Sequence, residues 1–221
     1  MRKFALILTL SAVLAACGAI PQASKPIRQA TSQSTAQFTP RAETRACLSS
    51  LSAARAAFTP LPDQYYGAGC STLGAVRLAS LRSDDSHLAL TNLGPVTCPL
   101  AETFAAWARY GVDRAAQQIL GSALVRIETM GSYNCRNVAG SDRRSAHATA
   151  NAIDIAAFVL ADGRRITITG DWHGGTPAER QFLSAIHTSA CKRFGTVLGP
   201  AYNAAHRDHL HLELSGSTFC R

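Results

Sequence analysis

Seven cysteines constrain the fold of this chain more than any other feature, because their chemistry depends on the compartment in which the chain folds. Cys17 closes an N-terminal apolar stretch, and six more follow at wide spacings: Cys47, Cys70, Cys98, Cys135, Cys191 and Cys220. Without a C-x-x-C pair, this pattern argues against a thiolate metal site. In an exported chain, an even number of cysteines predicts disulfides. Many pairings are possible, and we expect Cys191 to pair with Cys220 because these two flank the last strand region.

The N-terminus predicts export. A basic pair is followed by the apolar run Phe4–Val13, which is too short to span a bilayer as a permanent helix. The run ends in Leu-Ala-Ala-Cys, the pattern of a bacterial lipobox. We therefore predict a signal peptide over residues 1–16 and a lipid on Cys17. That lipid would anchor the chain in the bacterial envelope, at the periplasmic face of the outer membrane if the host is Gram-negative. An ordinary signal peptide with an incidental cysteine is the alternative interpretation.

The segment 17–45 is dominated by Ser, Thr, Gln, Ala and Pro, a composition that predicts a flexible tether. Residues 46–221 remain for one globular domain. Loss of residues 1–16 removes two basic residues and no acidic one, so the formal charge falls from +8 to +6. A moderately basic surface suits an anionic envelope partner as well as simple solubility. Basic residues are not interleaved with aromatic ones and zinc-finger spacing is lacking, so we expect no nucleic-acid binding.

Hydrophobic periodicity predicts an α+β domain in which a small antiparallel sheet is backed by helices. Helical spacing covers Cys47–Phe58, Cys98–Tyr110 and Pro177–Phe194, and Gly111 is expected to close the second of these helices. Alternation and short apolar runs predict six strands, at 78–81, 87–90, 124–130, 152–160, 165–169 and 210–214.

The last predicted strand carries two histidines on one face. Because residues two apart on a strand point to the same side, His209 and His211 both lie opposite Leu210 and Leu212. Two neutral imidazoles side by side can bind a cation that lies between them and another ligand.

A second polar group lies upstream. His147 precedes the strand that carries Asp154, whose carboxylate is flanked by two isoleucines. An unpaired carboxylate is costly to bury there, and a bound metal removes that cost. One carboxylate with two imidazoles suits zinc, and three protein ligands leave a fourth position for water, as in catalytic zinc sites. The alternative is that these histidines are structural and bind nothing.

Several motifs resemble those of one protein family. They are S-x-H-A-x-A-N-A-I-D-I-A-x-F from Ser145, G-P-x-Y-N-A-A-H-R-D-H-L-H-L-E from Gly199, and the run Gly131–Arg136. Over roughly residues 47–221 they resemble the extensin-like C-terminal domain family. The H-x6-D and H-x-H motifs resemble the wider superfamily of lysostaphin-type, D-alanyl-D-alanine and hedgehog-like metallopeptidases. The resemblance implies a hedgehog/D-Ala-D-Ala-peptidase-like fold and one Zn²⁺ per chain, held by His147, Asp154 and His211.

The resemblance also implies catalytic roles. The first histidine of H-x-H, here His209, would stabilise the oxyanion when protonated. Related carboxypeptidases use as general base an acidic residue at the place of Asp208, and some endopeptidases use a histidine at the place of His206; the sequence leaves both open. Many peptidases of the superfamily carry a glycine three residues after the first ligand, where this chain has Ala150.

Three further residues are candidates for substrate binding. Ser145 would hold substrate or orient the first ligand, unless it only caps a turn. Arg136 and Arg143 would receive a substrate carboxylate, unless they are ordinary surface arginines.

These features together favour a zinc-dependent hydrolase of peptide bonds in the bacterial cell envelope. Its substrate would be the stem peptides or cross-links of peptidoglycan, cleaved by carboxypeptidase or endopeptidase action. One alternative is a non-catalytic envelope-binding lipoprotein that keeps the fold. The other is a structural lipoprotein whose histidines bind no metal.

Overall fold

Four α-helices and twelve β-strands form the part of the chain that the computed structural model describes, residues 41–216 and 218–221. The helices are α1 (Ala42–Ala53), α2 (Cys98–Trp107), α3 (Ile168–Gly174) and α4 (Pro177–Cys191). The strands are β1 (Ala57–Pro60), β2 (Tyr65–Gly67), β3 (Cys70–Ser71), β4 (Ala75–Arg82), β5 (His87–Thr91), β6 (Val96–Thr97), β7 (Leu124–Gly131), β8 (Ala152–Leu160), β9 (Arg165–Thr167), β10 (Thr196–Leu198), β11 (Leu210–Glu213) and β12 (Phe219–Cys220). The predicted α+β class is confirmed.

Several predictions fall on residues outside this range. The signal peptide over residues 1–16, the lipid on Cys17 and most of the tether lie outside the described residues. Helix α1 begins at Ala42, so residues 42–45, the end of the predicted tether, belong to the start of a helix. In the described part of the chain, no helix is both long enough and apolar enough to cross a membrane.

Ten strands form one sheet in the order β1-β4-β5-β7-β8-β11-β10-β12, with β6 paired to β4 and β9 paired to β8. The pairs β5–β7 and β10–β12 are parallel, and the other pairs are antiparallel. The sheet is therefore larger than the small antiparallel sheet we predicted, and it is mixed. A parallel β5–β7 pair needs a long crossover connection, which α2 and the helical turns after it provide. Strands β2 and β3 form a separate hairpin.

Helices α2 and α4 pack against the sheet through aromatic side chains. Trp107 of α2 contacts Phe158 of β8, and Phe158 contacts Phe182 of α4, with ring centroids 6.2 and 5.6 Å apart. The indole N–H of Trp107 donates to the carbonyl of Ile186 at 3.1 Å, so the polar atom of this buried side chain is satisfied. This packing holds β8 in place, and β8 carries one of the predicted ligands.

The helix that begins at Cys98 does not end at Gly111, and that prediction was wrong. It continues through the wider π-helical turns Ala108–Asp113 and Ala116–Leu120. A Cβ added at Gly111 would lie 2.5 Å from Ser189 Oγ and 2.9 Å from Trp107 Cδ1. Gly111 therefore permits the close approach of this helix to α4 and does not terminate it.

Three other predicted elements end two or more residues earlier than expected. Helix α1 ends at Ala53, which leaves Phe58 in β1. Strand β9 ends at Thr167, because the Thr167 hydroxyl accepts a hydrogen bond from Gly170 N and begins α3. Helix α4 ends at Cys191 instead of Phe194. Most of the misplaced boundaries lie at helix ends, where capping contacts decide the last turn.

Three disulfides join Cys47 to Cys98, Cys70 to Cys135 and Cys191 to Cys220. The predicted pairing of Cys191 with Cys220 is confirmed. The second disulfide ties the β2–β3 hairpin to the segment after β7, which leads to the candidate site.

Candidate metal centre

The predicted ligands lie on two neighbouring strands and on the turn that precedes one of them. Strands β8 and β11 pair in an antiparallel register that sets Asp154 directly opposite His211. His147 lies in the 3-10 turn Ala146–Thr149, shortly before β8. The structure therefore brings together three side chains that come from separate parts of the sequence.

These three side chains meet at hydrogen-bonding distance. His147 Nε2 lies 3.2 Å from His211 Nδ1 and 3.2 Å from Oδ2 of Asp154. His211 Nδ1 lies 2.9 Å from Oδ1 of the same carboxylate. Ligand atoms around a tetrahedral zinc ion, with bonds of about 2.0–2.1 Å, lie roughly 3.3 Å apart. The donor atoms thus have a spacing that fits such an ion with little rearrangement.

Burial and hydrogen bonding set the charges of this cluster. Burial by itself raises the pKa of Asp154, but hydrogen bonds with His147 and His211 outweigh burial and lower it. Burial lowers the pKa of His211, whereas hydrogen bonds to Asp154 and Glu213 raise it to about 9. The cluster therefore keeps an ionised carboxylate and attracts positive charge, as a cation site must.

Two residues fix the orientation of the imidazoles, and the sequence analysis gave neither a role. His147 Nδ1 donates to the carbonyl of Ser132 at 3.0 Å, which leaves Nε2 turned to the cluster. On the other side, His211 Nε2 lies 3.3 Å from Oε2 of Glu213, which leaves Nδ1 turned to the cluster. Such partners fix the tautomer of a metal-binding histidine. The alternation of β11 carries the signal for Glu213, because it follows His211 by two residues.

The backbone around His147 explains how this side chain is presented. Ser145 is buried, and its hydroxyl accepts a hydrogen bond from His147 N at 3.3 Å, so it caps the turn and orients the ligand. The turn ends at Ala150, whose φ of 55° lies in the left-handed region. Glycine adopts this conformation at the least cost. This left-handed backbone explains why many peptidases that the sequence resembles carry a glycine at this position. In this chain Ala150 adopts the same left-handed conformation.

The candidate catalytic residues lie beside the cluster. His209 Nε2 is 3.7 Å from Asp154 Oδ1, and His209 Nδ1 donates to Asp208 at 2.9 Å. The ring of His206 lies 5.0 Å from that of His209 and 6.0 Å from that of His211. The hydrogen bond with His209 lowers the pKa of Asp208. Burial, together with the neighbouring imidazoles, lowers the pKa of His206 to about 4, so this histidine is neutral at pH 7.

The candidate substrate-binding arginines lie in the exposed segment before Ser145. Arg136 is exposed, and its positive charge is near enough to contribute to the lowered pKa of His206. Arg143 is also exposed, and its side chain forms no hydrogen bond or ion pair with the residues that the structure describes. The structure therefore associates Arg136 with the cluster and gives Arg143 no contact with it.

The β2–β3 hairpin adds an aromatic surface beside the cluster, which the sequence analysis did not find. The ring of Tyr66 lies 5.5 Å from that of Tyr133. Tyr133 stands between Ser132 and Asn134, and both neighbours bond to His147, since Asn134 N donates to the carbonyl of His147 at 3.1 Å. This surface depends on a contact between residues far apart in sequence, for which local patterns give no signal.

No curated protein and no solved structure matches the chain. A family model described as "Extensin-like protein C-terminus" matches residues 45–221. The match includes the three converging side chains and all three of their neighbours His206, Asp208 and His209. The chain therefore belongs to the extensin-like protein C-terminus family.

Proposed function

We propose that this chain is a zinc-dependent hydrolase of peptide bonds in the bacterial cell envelope, with its metal held by His147, Asp154 and His211. The observation that carries the proposal is the convergence of two imidazole nitrogens and a carboxylate at 2.9–3.2 Å, close to the spacing of tetrahedral zinc ligands. The same proposal assigns the domain a fold like that of hedgehog and D-Ala-D-Ala peptidases, and places the family within that metallopeptidase superfamily.

The donor set favours zinc among the divalent ions. Imidazole nitrogens with one carboxylate suit a borderline-soft cation, whereas magnesium and calcium prefer sites built from oxygen atoms. Three protein ligands leave a coordination position free, the arrangement of catalytic zinc sites. Bound there, zinc would supply Lewis-acid activation of water and of the scissile carbonyl.

The neighbouring side chains His206, Asp208 and His209 provide proton transfer and stabilisation of the oxyanion. His206, whose ring lies beside those of His209 and His211, accepts the proton of the attacking water and returns it to the leaving amine. Asp208 is a poorer base for this step, because its carboxylate already accepts the hydrogen bond from His209 Nδ1. That contact orients His209, which stabilises the oxyanion of the substrate carbonyl.

Charge and the predicted compartment support this substrate class. The exposed guanidinium of Arg136, whose charge contributes to the lowered pKa of His206, suits a substrate carboxylate, and peptidoglycan stem peptides carry such groups. Three disulfides suit an exported protein, and a lipid on Cys17 would hold the domain next to the cell wall. In this arrangement Ser145 serves the site by positioning His147.

Digestion of purified sacculi tests the proposal. The full-length chain is reconstituted with zinc and incubated with sacculi, and released peptides are identified by mass spectrometry. We expect fragments from the zinc-loaded protein and none from H209A, although H209A keeps its zinc. H87A changes an exposed histidine on β5 and serves as the matched control with full activity.

The same assay separates the alternatives. Zinc-loaded protein that releases nothing, while an active peptidoglycan hydrolase does so under the same conditions, would rule out the hydrolase. If that inactive protein still sediments with sacculi, a non-catalytic envelope-binding lipoprotein is indicated. Loss of turnover in H206A with retention in D208N is expected for His206 as the base, and the reverse result would assign that role to Asp208.

A further inference from the structure

A cleft lined by arginines lies at the C-terminal end of β4, away from the metal centre. It has a volume of about 320 Å³, and its charged lining residues are Arg55, Arg82, Asp84 and Arg109. At the other end of the strand, Ala75 pairs with Thr97, whose N–H donates to the carbonyl of Ala150 next to the metal cluster. Seven residues of strand separate the two ends, a distance of about 23 Å. The cleft is therefore a separate site.

Positive charge in this cleft exceeds what its carboxylate neutralises. Asp84 accepts hydrogen bonds from Arg109 at 2.7 Å and from Arg114 at 2.9 Å. Within residues 41–216 and 218–221, the guanidinium groups of Arg55 and Arg82 form no hydrogen bond or ion pair. Asp85, the acidic residue that follows Asp84 in sequence, is exposed and does not line the cleft. Three arginines and one carboxylate thus line the cleft, and the guanidinium groups of Arg55 and Arg82 are free for a ligand.

The π-helical turn after α2 helps to assemble this cluster. Arg109 lies in the turn Ala108–Asp113, and Arg114 follows it directly. In a π-helix the backbone bonds join residues five apart, so Arg109 and Arg114 come to the same side and reach one carboxylate. Tyr110 supports both, with guanidinium carbons 5.1 and 4.8 Å from its ring centroid. Such turns are rare in helices and are frequent at functional sites.

We propose that this cleft binds a phosphate group, with Arg55 and Arg82 as its direct ligands and Arg109 as a fixed positive neighbour. The planar guanidinium group can form two parallel hydrogen bonds to phosphate oxygens. An anion with more than one negative charge would also neutralise the excess positive charge of the arginines. Asp84 holds Arg109 and Arg114 in place and so keeps the cleft open. The phosphate belongs either to a soluble phosphate ester or to a lipid headgroup.

Titration of the full-length chain with inorganic pyrophosphate tests the chemistry. Heat of binding is measured by calorimetry at an ionic strength matched with sodium chloride. We expect R55Q and R82Q to weaken binding about tenfold each, since each removes a hydrogen-bonded charge. The matched control is R77Q, which removes an exposed arginine of the same strand outside the cleft and should bind like the unsubstituted chain.

Sedimentation with vesicles distinguishes the two sources of phosphate. Vesicles of phosphatidylglycerol with phosphatidylcholine are compared with phosphatidylcholine alone, for the unsubstituted chain, R82Q and R77Q. Extra retention on the anionic vesicles that R82Q loses and R77Q keeps supports a lipid headgroup, whereas pyrophosphate binding without that retention supports a soluble ester. The proposal is overturned if pyrophosphate gives no saturable heat, or if R77Q weakens binding as much as R55Q and R82Q.

Discussion

His147 Nε2 faces His211 Nδ1 at 3.2 Å, although 64 residues separate these histidines in sequence. Each imidazole has its second nitrogen engaged, His147 with the carbonyl of Ser132 and His211 with the carboxylate of Glu213. The two facing nitrogens also lie 2.9 and 3.2 Å from the two oxygens of the Asp154 carboxylate. The two rings are therefore held in an orientation in which a cation can bind both nitrogens and the carboxylate.

The first prediction concerns the metal itself. At free zinc about 100-fold above its dissociation constant, bound metal should stabilise the fold by about 2.7 kcal/mol, or roughly 5–10 °C in Tm. We expect chelator treatment to remove this gain, and D154N and H211A to lack it. Thermal unfolding with and without zinc, together with elemental analysis, provides the measurement. H173A, which changes an exposed histidine of α3, should keep one zinc and the full shift, and equal zinc in all four proteins would contradict the ligand assignment.

The second prediction concerns Glu213, which is not a ligand. Its carboxylate holds His211 Nε2, so E213Q should leave the fold intact but weaken zinc binding by about 10–100-fold. Competition with a chromogenic chelator measures this affinity. E43Q removes a carboxylate from the first turn of α1 and serves as the control. Unchanged affinity in E213Q would show that the orientation of His211 does not depend on this contact.

Strands β8 and β11 could be predicted because both the core and the cluster depend on a period of two. Ile153 and Ile155 alternate with Asp154, and Leu210 and Leu212 alternate with His211, so burial of the apolar face fixes the side on which the polar groups lie. The antiparallel pairing of these strands then sets Asp154 opposite His211. The alternation therefore predicted the faces on which Asp154 and His211 lie, whereas their convergence with His147 was predicted only through the family resemblance.

Other features depend on contacts that local patterns do not encode. The helix continues past Gly111, which lies close to Trp107 and Ser189, and this tertiary contact is not encoded in the sequence of α2, which alone suggested an ordinary end. Strand β5 pairs in parallel with β7, and the periodicity of a strand does not specify which other strand it pairs with. The arginine cleft likewise gathers residues from α1, β4 and the segment after α2, whose proximity only the folded chain reveals.

The third prediction compares two disulfides. Cys70–Cys135 closes 65 residues and Cys47–Cys98 closes 51, so a chain-entropy model gives each about 4 kcal/mol of stabilisation. The double variants C70A/C135A and C47A/C98A should therefore lose similar stability in denaturant unfolding. Only the first should also weaken zinc binding, because it releases the segment in which Ser132 holds His147. Equal zinc affinity in the two variants, measured below their unfolding transitions, would contradict this role of the hairpin.

The fourth prediction separates stability from anion binding at Arg55. This residue follows α1 and adopts the left-handed conformation, with φ 56°. The hydrogen bonds from Arg55 N to Ser52 O and from Ala56 N to Leu51 O form a Schellman motif at the end of the helix. Glycine is preferred at that position, so R55G should raise the free energy of unfolding by about 1 kcal/mol. The same variant should lose the thermal stabilisation that pyrophosphate gives to the unsubstituted chain, because a ligand stabilises only the state that binds it. The control R77G changes an exposed strand position, so it should lower stability and keep the stabilisation by pyrophosphate. An R55G protein that still gains stability from pyrophosphate would show that Arg55 does not contact the anion.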